Sequence, residues 1–177
     1  GIPEYANWVS TFINKDKMED VVLIGHSFGG KIASYLSSKN PIWLRALILV
    51  ATPALYRPGL FVRSKIVVLK IVKRIIPNSI REIFYSAELK EAKKLGMEKI
   101  LRKVVPFDQT SLLSKIRFAT ILIWGENDDY PPLSVGKEMN SLIPNSKLKV
   151  IEDAGHQINI EKPLLFYEGI KNFIESL

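Results

Sequence analysis

Apolar runs alternate with helical patterns along the chain, and this alternation predicts an α/β fold. Four short runs are rich in apolar and β-branched residues, as is typical of strands buried on both faces of a parallel sheet. These runs are 21–24, 44–51, 119–124 and the weaker 148–151. Helical spacing of apolar residues marks the segments 3–12, 27–38, 133–142 and 163–177. Strands alternating with helices predict a doubly wound, mostly parallel sheet.

One long segment, 56–113, interrupts this alternation. Val68, Leu69, Val72, Ile75 and Ile76 fall on one helical face, and Lys70, Lys73 and Arg74 fall on the other. A second helical pattern, 79–104, is rich in Lys, Glu, Ala and Leu. We therefore expect a first core part at 1–55, a helical insertion at 56–113 and a second core part at 114–177.

The positive charge of the chain is concentrated in the expected insertion. The formal net charge is +7, and the segment 57–103 holds 13 basic residues against 4 acidic ones. Such asymmetry favours an anionic partner, such as an acidic membrane surface or a charged substrate. A solvated helical face is the simpler interpretation. Because no motif interleaves basic with aromatic residues, we expect no binding of nucleic acid.

Composition excludes several classes of protein. The 177 residues, 47% of them apolar, suffice for one domain with a real core. The absence of cysteine excludes disulfides and thiolate metal sites, and two histidines are too few for a structural zinc site. Without a long apolar run or a secretory signal, we expect a cytoplasmic protein with no transmembrane segment. The start at Gly1, with a helical pattern at once, predicts the carboxyl-terminal part of a longer protein.

A nucleophilic serine is predicted by the segment Gly25-His26-Ser27-Phe28-Gly29-Gly30, which follows a predicted strand and opens a helix. The sharp turn raises the Ser27 hydroxyl above the sheet edge, and Gly25 and Gly29 avoid a clash that a Cβ would cause there. At the helix amino terminus, the N–H of Phe28 can donate to an oxyanion. A serine that merely caps the helix is the alternative.

A serine nucleophile needs a base, and the chain offers two histidines. His26 adjoins Ser27 and should point away from it, so we expect a packed or hydrogen-bonded histidine beside the site. His156 follows the strand ending near Ile151, which places it at the same carboxyl edge of the sheet as Ser27. Asp128 and Asp129 follow the strand 119–124 at that edge, and either can orient His156. Turn-forming aspartates and a structural loop histidine are the alternatives.

These motifs resemble those of α/β-hydrolase-fold serine hydrolases with a helical cap. The matching segments are 25–30, 122–128 with Pro132, and Gly155-His156 followed by Glu161-Lys162-Pro163. The order Ser27, Asp128, His156 is the chain order of that family's triad. The resemblance covers 1–58 and 113–177, and it favours Asp128 over Asp129, because the family's acid lies three residues after the glycine that is Gly125 here.

The resemblance implies hydrolysis of an ester or related acyl bond in a small-molecule substrate, with Ser27, His156 and Asp128 as the triad and no metal or organic cofactor. Two alternatives stay open. One is a hydrolase of carbon–carbon bonds on the same fold. The other is a non-catalytic binding protein whose basic cap docks an anionic partner or membrane surface.

The chain also departs from the family pattern. Family members begin with further strands and with a His-Gly loop that supplies a second oxyanion donor, and nothing before Val21 matches that loop. The resemblance therefore implies an amino-terminally incomplete α/β-hydrolase fold with one unpaired sheet edge. Loss of one oxyanion donor costs on the order of 10²–10³ in rate, so we expect the 177 residues alone to be weakly active or inactive.

Overall fold

The structure, a computed structural model, describes residues 1–57 and 96–177. Four strands form one parallel sheet in the order β1-β2-β3-β4. The strands are β1 (Val21–His26), β2 (Leu44–Val50), β3 (Ala119–Gly125) and β4 (Ser146–Ile151). The helices of the described residues are α1 (Ile2–Lys15), α2 (Phe28–Ser37), α3 (Glu98–Val104), α4 (Thr110–Leu113), α5 (Leu133–Leu142), α6 (Ile158–Glu161) and α7 (Pro163–Glu175).

The predicted α/β fold with a parallel sheet is confirmed. Each predicted strand has an observed counterpart, and α5 has the bounds that the apolar spacing indicates. The weakest predicted strand, 148–151, begins two residues earlier, at Ser146. Of the long helical pattern at 79–104, the structure describes α3, whereas the amphipathic pattern at 68–76 lies outside the described residues.

Both faces of the sheet are covered by helices, because the central strands are apolar on both sides. Leu47, Leu49, Leu122 and Trp124 point to one face, where they pack with residues of α2, α4 and α5. Ala46, Ile48, Val50, Ile121 and Ile123 point to the other face, where they pack with residues of α6 and α7. This two-sided burial explains why β2 and β3 read as nearly unbroken apolar runs.

The larger compact unit includes residues on both sides of the inserted segment. The chain divides into two compact units, one formed by residues 1–55 and 108–177 and the other by residues 56–107. The first unit thus resumes at Asp108 and not at residue 114. The reason is that the Gln109 N–H donates to the Ala54 carbonyl, its side-chain amide donates to the Lys31 carbonyl, and Leu113 is fully buried.

The β1 strand lies at an edge of the sheet. Among the described residues it pairs with β2 alone, and the side chain of Ile24 in β1 is 49% exposed. Within residues 1–57 and 96–177, no helix is both long enough and apolar enough to cross a bilayer.

A buried lysine lies one turn into the helix that follows Ser27. Lys31 in α2 is only 2% exposed. Burial lowers its pKa to about 8, because a charged ammonium loses hydration, and the nearby Asp108 carboxylate opposes this shift. The unfolded chain then binds more protons than the folded one between pH 8 and the ordinary lysine pKa near 10.5. Stability should therefore rise with pH through that interval.

We predict that Lys31→Met removes this rise. The free energy of unfolding of the native chain, measured in urea at several pH values, should increase from about pH 8 to about pH 10. In the variant it should be flat over the same interval, because no buried amine remains to lose its proton. Lys15→Met, which alters an exposed lysine of α1, is the control and should keep the native pH dependence. An unchanged slope in Lys31→Met would contradict the prediction.

Candidate active site

Ser27 occupies a strained turn between the end of β1 and the start of α2. Its backbone has φ 50° and ψ −117°, a left-handed φ that residues other than glycine rarely adopt. Its N–H donates to the Val50 carbonyl at 2.8 Å, which ties the turn to the end of β2. The Ser27 hydroxyl makes no capping hydrogen bond to α2, so a helix-capping serine is not supported.

The glycines around Ser27 serve different purposes. A Cβ on Gly25 would lie 2.6 Å from the Gly30 Cα and 2.7 Å from the Gly29 carbonyl oxygen, as the sequence analysis expected. The same expectation is wrong for Gly29, where a Cβ would meet nothing within 4 Å. The second position that requires glycine is Gly30, because a Cβ there would overlap the buried side chain of Thr52. Motif spacing could not identify this contact, since Thr52 follows a different strand.

The imidazole of His156 is paired with a buried carboxylate. His156 Nδ1 donates to Asp128 Oδ2 at 2.9 Å, and Asp128 Oδ1 accepts the Tyr130 N–H at 2.9 Å. The Asp128 side chain is fully buried, whereas the His156 side chain is 29% exposed. With the proton held on Nδ1, the Nε2 of a neutral ring has a free lone pair and can act as a base.

The structure brings Asp128, and not Asp129, to His156. Asp129 is exposed, and its carboxylate forms no hydrogen bond with any other described residue. The sequence alone left both aspartates open, and the resemblance favoured the one that the geometry selects.

His26 lies beside His156 and bonds to its backbone. His26 Nε2 donates to the His156 carbonyl at 3.0 Å, and the two rings lie with centroids 4.9 Å apart, tilted by 42°. This agrees with the expectation of a hydrogen-bonded histidine beside the site. The same hydrogen bond shows that the loop after β4 reaches across the sheet to the end of β1, although β4 and β1 are the two outer strands. Ser27 follows directly after β1.

Gly125, the last residue of β3, leaves room for the loop that carries His156. The Asn127 N–H donates to the Ala154 carbonyl at 2.9 Å, and a Cβ on Gly125 would overlap the carbonyls of Ala154 and Gly155. Glycine at the last position of β3 is therefore required for the loop that carries His156 to lie across that strand end.

The predicted triad is brought to one edge, but it is not fully bonded. Ser27, Asp128 and His156 follow the carboxyl ends of β1, β3 and β4, which lie on the same edge of the parallel sheet. Between the Ser27 hydroxyl and the His156 ring, both within the described residues, there is no hydrogen bond. Catalytic hydrogen bonds are often long in ligand-free sites and tighten when the substrate binds.

Phe28, the predicted oxyanion donor, begins α2, where backbone N–H groups lack partners within the helix. Its ring is 36% exposed and packs edge-on against Tyr5 of α1, with the ring centroids 5.4 Å apart. Within residues 1–57 and 96–177, no cluster of three or more His, Cys, Asp or Glu side chains is arranged to hold a metal ion.

Comparison with known proteins identifies the family of this chain. The family model described as "Alpha/beta hydrolase family" matches residues 2–168. The chain belongs to this family.

Three similar proteins illustrate the range of the alpha/beta hydrolase family around this chain. The putative esterase/lipase 2 of Mycoplasma genitalium is 24% identical over 98% of this chain and 70% of its own length. The 2-hydroxy-6-oxononadienedioate/2-hydroxy-6-oxononatrienedioate hydrolase of Cupriavidus pinatubonensis is 25% identical over 89% of this chain and 63% of its own length. The crystal structure of an alpha/beta hydrolase enzyme from the metagenome of lagoon sediments at Mar Chica, Morocco, superposes with a TM-score of 0.70, at 23% identity, over 99% of this chain and 70% of the other.

For this alpha/beta hydrolase we predict that Gly30→Ala destabilises the fold and that Gly29→Ala does not. The added methyl group at residue 30 overlaps Thr52 and forces the turn between β1 and α2 away from that residue. This should lower the free energy of unfolding by about 1–3 kcal/mol or more. The methyl group at residue 29 meets open space, and alanine is the better helix former there. Urea unfolding of the two variants beside the native chain measures the difference. Equal stability of the two variants would contradict the prediction.

Proposed function

We propose that this hydrolase is a serine hydrolase that cleaves an ester or a related acyl bond of a small-molecule substrate. In this proposal Ser27 is the nucleophile, His156 is the general base and then the general acid, Asp128 orients His156, and the Phe28 N–H binds the oxyanion. No metal or organic cofactor takes part in these steps.

The observation that carries the proposal is the hydrogen bond from His156 Nδ1 to the buried Asp128 carboxylate at 2.9 Å, on the sheet edge that also bears Ser27. A buried carboxylate at this position selects the tautomer whose Nε2 accepts a proton, and it stabilises the imidazolium that forms. The Ser27 hydroxyl supports the proposal as well. It lies in a strained turn of the kind used by serine nucleophiles, and α2 does not use it as a cap.

The reaction follows from these roles. Ser27 Oγ adds to the substrate carbonyl carbon while its proton passes to His156 Nε2, and the carbonyl oxygen becomes an oxyanion facing the Phe28 N–H. The imidazolium then gives that proton to the leaving group, and the acyl group stays on Ser27. Water attacks the acyl-serine and gives one proton to His156, which returns it to Ser27 Oγ as the acid product leaves. Atoms and charge balance without an external reagent.

We predict that a fluorophosphonate probe labels Ser27 and that Ser27→Ala is not labelled. The probe forms a covalent bond only with a serine whose proton an adjacent base removes. Asp128→Asn should slow labelling by up to about 10⁴-fold, because an amide holds the imidazole in the wrong tautomer. Mass spectrometry of the modified peptide, with the rate of its formation, gives both results.

The neighbouring substitution Asp129→Asn is the matched control. It removes an exposed carboxylate one residue away from Asp128 and should be labelled at about the native rate. If Ser27→Ala is labelled as fast as the native chain, the assignment of the nucleophile is wrong. If Asp128→Asn and Asp129→Asn are slowed equally, the assignment of the acid is wrong.

Hydrolysis of a carbon–carbon bond is the second candidate function. It is favoured by the similarity to the Cupriavidus pinatubonensis protein, whose name describes a hydrolase of 2-hydroxy-6-oxo dienoic diacids. Turnover of such a dienoate beside a p-nitrophenyl ester discriminates the two candidates. Turnover of the ester alone supports the first, and faster turnover of the dienoate supports the second.

A further inference from the structure

Two side chains outside the predicted triad hold the backbone around His156. The Glu161 carboxylate accepts the Gly155 N–H at 2.6 Å through Oε2 and the Gln157 N–H at 2.9 Å through Oε1. From the other side, His26 Nε2 donates to the His156 carbonyl at 3.0 Å. Three consecutive residues of the loop are thus bonded through their main chain to side chains from two different elements.

The helix that carries this exposed carboxylate is anchored in the core. Glu161 ends α6, and Ile158 at the start of that helix is fully buried in the cluster that contains Ile123 and Ile151. Gly155 also leaves space for it, because a Cβ there would lie 3.3 Å from both carboxylate oxygens. Through α6, the loop that carries His156 is therefore held in place against the sheet. The two distances from the Glu161 oxygens to the backbone N–H groups are those of charge-assisted hydrogen bonds.

The negative charge of Glu161 strengthens the hydrogen bonds that it accepts from the loop. The two backbone N–H groups, of Gly155 and then of Gln157, lower its pKa, and the charge of His156 adds a smaller lowering. The carboxylate is consequently ionised wherever His156 can act as a base.

We propose that Glu161 is a positioning residue for His156: it bridges the N–H groups on either side of the histidine and fixes the loop so that Nδ1 meets Asp128 and Nε2 is presented toward Ser27. His26 completes this arrangement by holding the carbonyl of His156. The proposal deepens the proposed function and rests on it. It assigns roles to two side chains that neither attack the substrate nor exchange protons with it.

A simpler role for Glu161 would be stabilisation of the short helix that it ends, with no effect on His156. The two roles make different predictions for the imidazole. If Glu161 positions the loop, its loss lets the ring leave Asp128, and the proton moves between Nδ1 and Nε2. If Glu161 only supports the helix, the ring keeps its proton on Nδ1.

The test compares Glu161→Ala and Glu161→Gln with the native chain, each studied as the full 177 residues at a temperature where it is folded. In Glu161→Ala, we expect fluorophosphonate labelling of Ser27 to slow by about 10²-fold, since a misplacement of about 1 Å has that effect. In Glu161→Gln, one acceptor oxygen remains, so labelling should slow by only about tenfold. Nitrogen-15 NMR should show His156 as the Nδ1–H tautomer in the native chain and as a mixture in Glu161→Ala.

Glu175→Gln is the matched control, since it removes an exposed carboxylate of α7 that pairs only loosely, at 3.8 Å, with Lys171. It should leave both labelling and the His156 tautomer unchanged. His26→Gln, which keeps an N–H donor, should label faster than His26→Ala, which loses it.

The outcomes separate this inference from the function on which it rests. If the native chain is labelled at Ser27 and Glu161→Ala is labelled at the same rate with the same His156 tautomer, the inference is wrong and the proposed function stands. If the probe does not label Ser27 in the native chain, the proposed function is wrong and the positioning role falls with it. Slower labelling together with a mixed tautomer supports the inference.

Discussion

The parallel direction of the four strands is the constraint on which the rest of the structure depends. Strands that run the same way end on the same edge, so three loops far apart in the sequence begin side by side. Each loop carries one of the residues assigned to the reaction. The sheet places them near one another, and the hydrogen bond from His156 to Asp128 then joins two of the three side chains.

Three residues that follow the strands at that edge have backbone conformations that residues other than glycine seldom adopt. Ser27, Ala51 and Asp153, which follow β1, β2 and β4, all have a positive φ. Such conformations persist only where the surroundings determine them strongly. Here the Ser27 N–H is bonded to β2, and the close approach of Gly30 to Thr52 keeps α2 against the same strand. The hydrogen bond to Val50 and the packing of Gly30 on Thr52 therefore hold the strained turn.

The sequence predicted the strands and the edge well, because burial on both faces leaves a continuous apolar signal in each central strand. It could not choose between Asp128 and Asp129, since neighbouring residues in a loop differ only in where the backbone turns them. It misassigned Gly29, and although the segments that match the family include Gly30 and Glu161, it gave neither of them a role, for a related reason. The contacts that give those residues their roles join separate segments, such as Thr52 to Gly30, and spacing along the chain does not record them. The burial of Gln109 and Leu113, within the expected insertion, is likewise a tertiary effect that spacing along the chain does not record.

The connection between β2 and β3 has a consequence for how proteins of this shape diverge. These strands are direct neighbours, with Val50 beside Ile123, yet the polypeptide makes a long excursion between them. The entropy of closing such a loop grows only with the logarithm of its length, so doubling the excursion disfavours folding by about 0.6 kcal/mol. By this entropy alone, residues can be gained or lost between residues 56 and 107 with little effect on the sheet, whereas Gln109, Leu113 and Ile116, later in the same connection, are buried in the core. The short connections that bear Asp128 and His156 have less freedom, since several of their backbone groups bond to neighbouring segments, as the Asn127 N–H does to Ala154 and the Gly155 and Gln157 N–H groups do to Glu161.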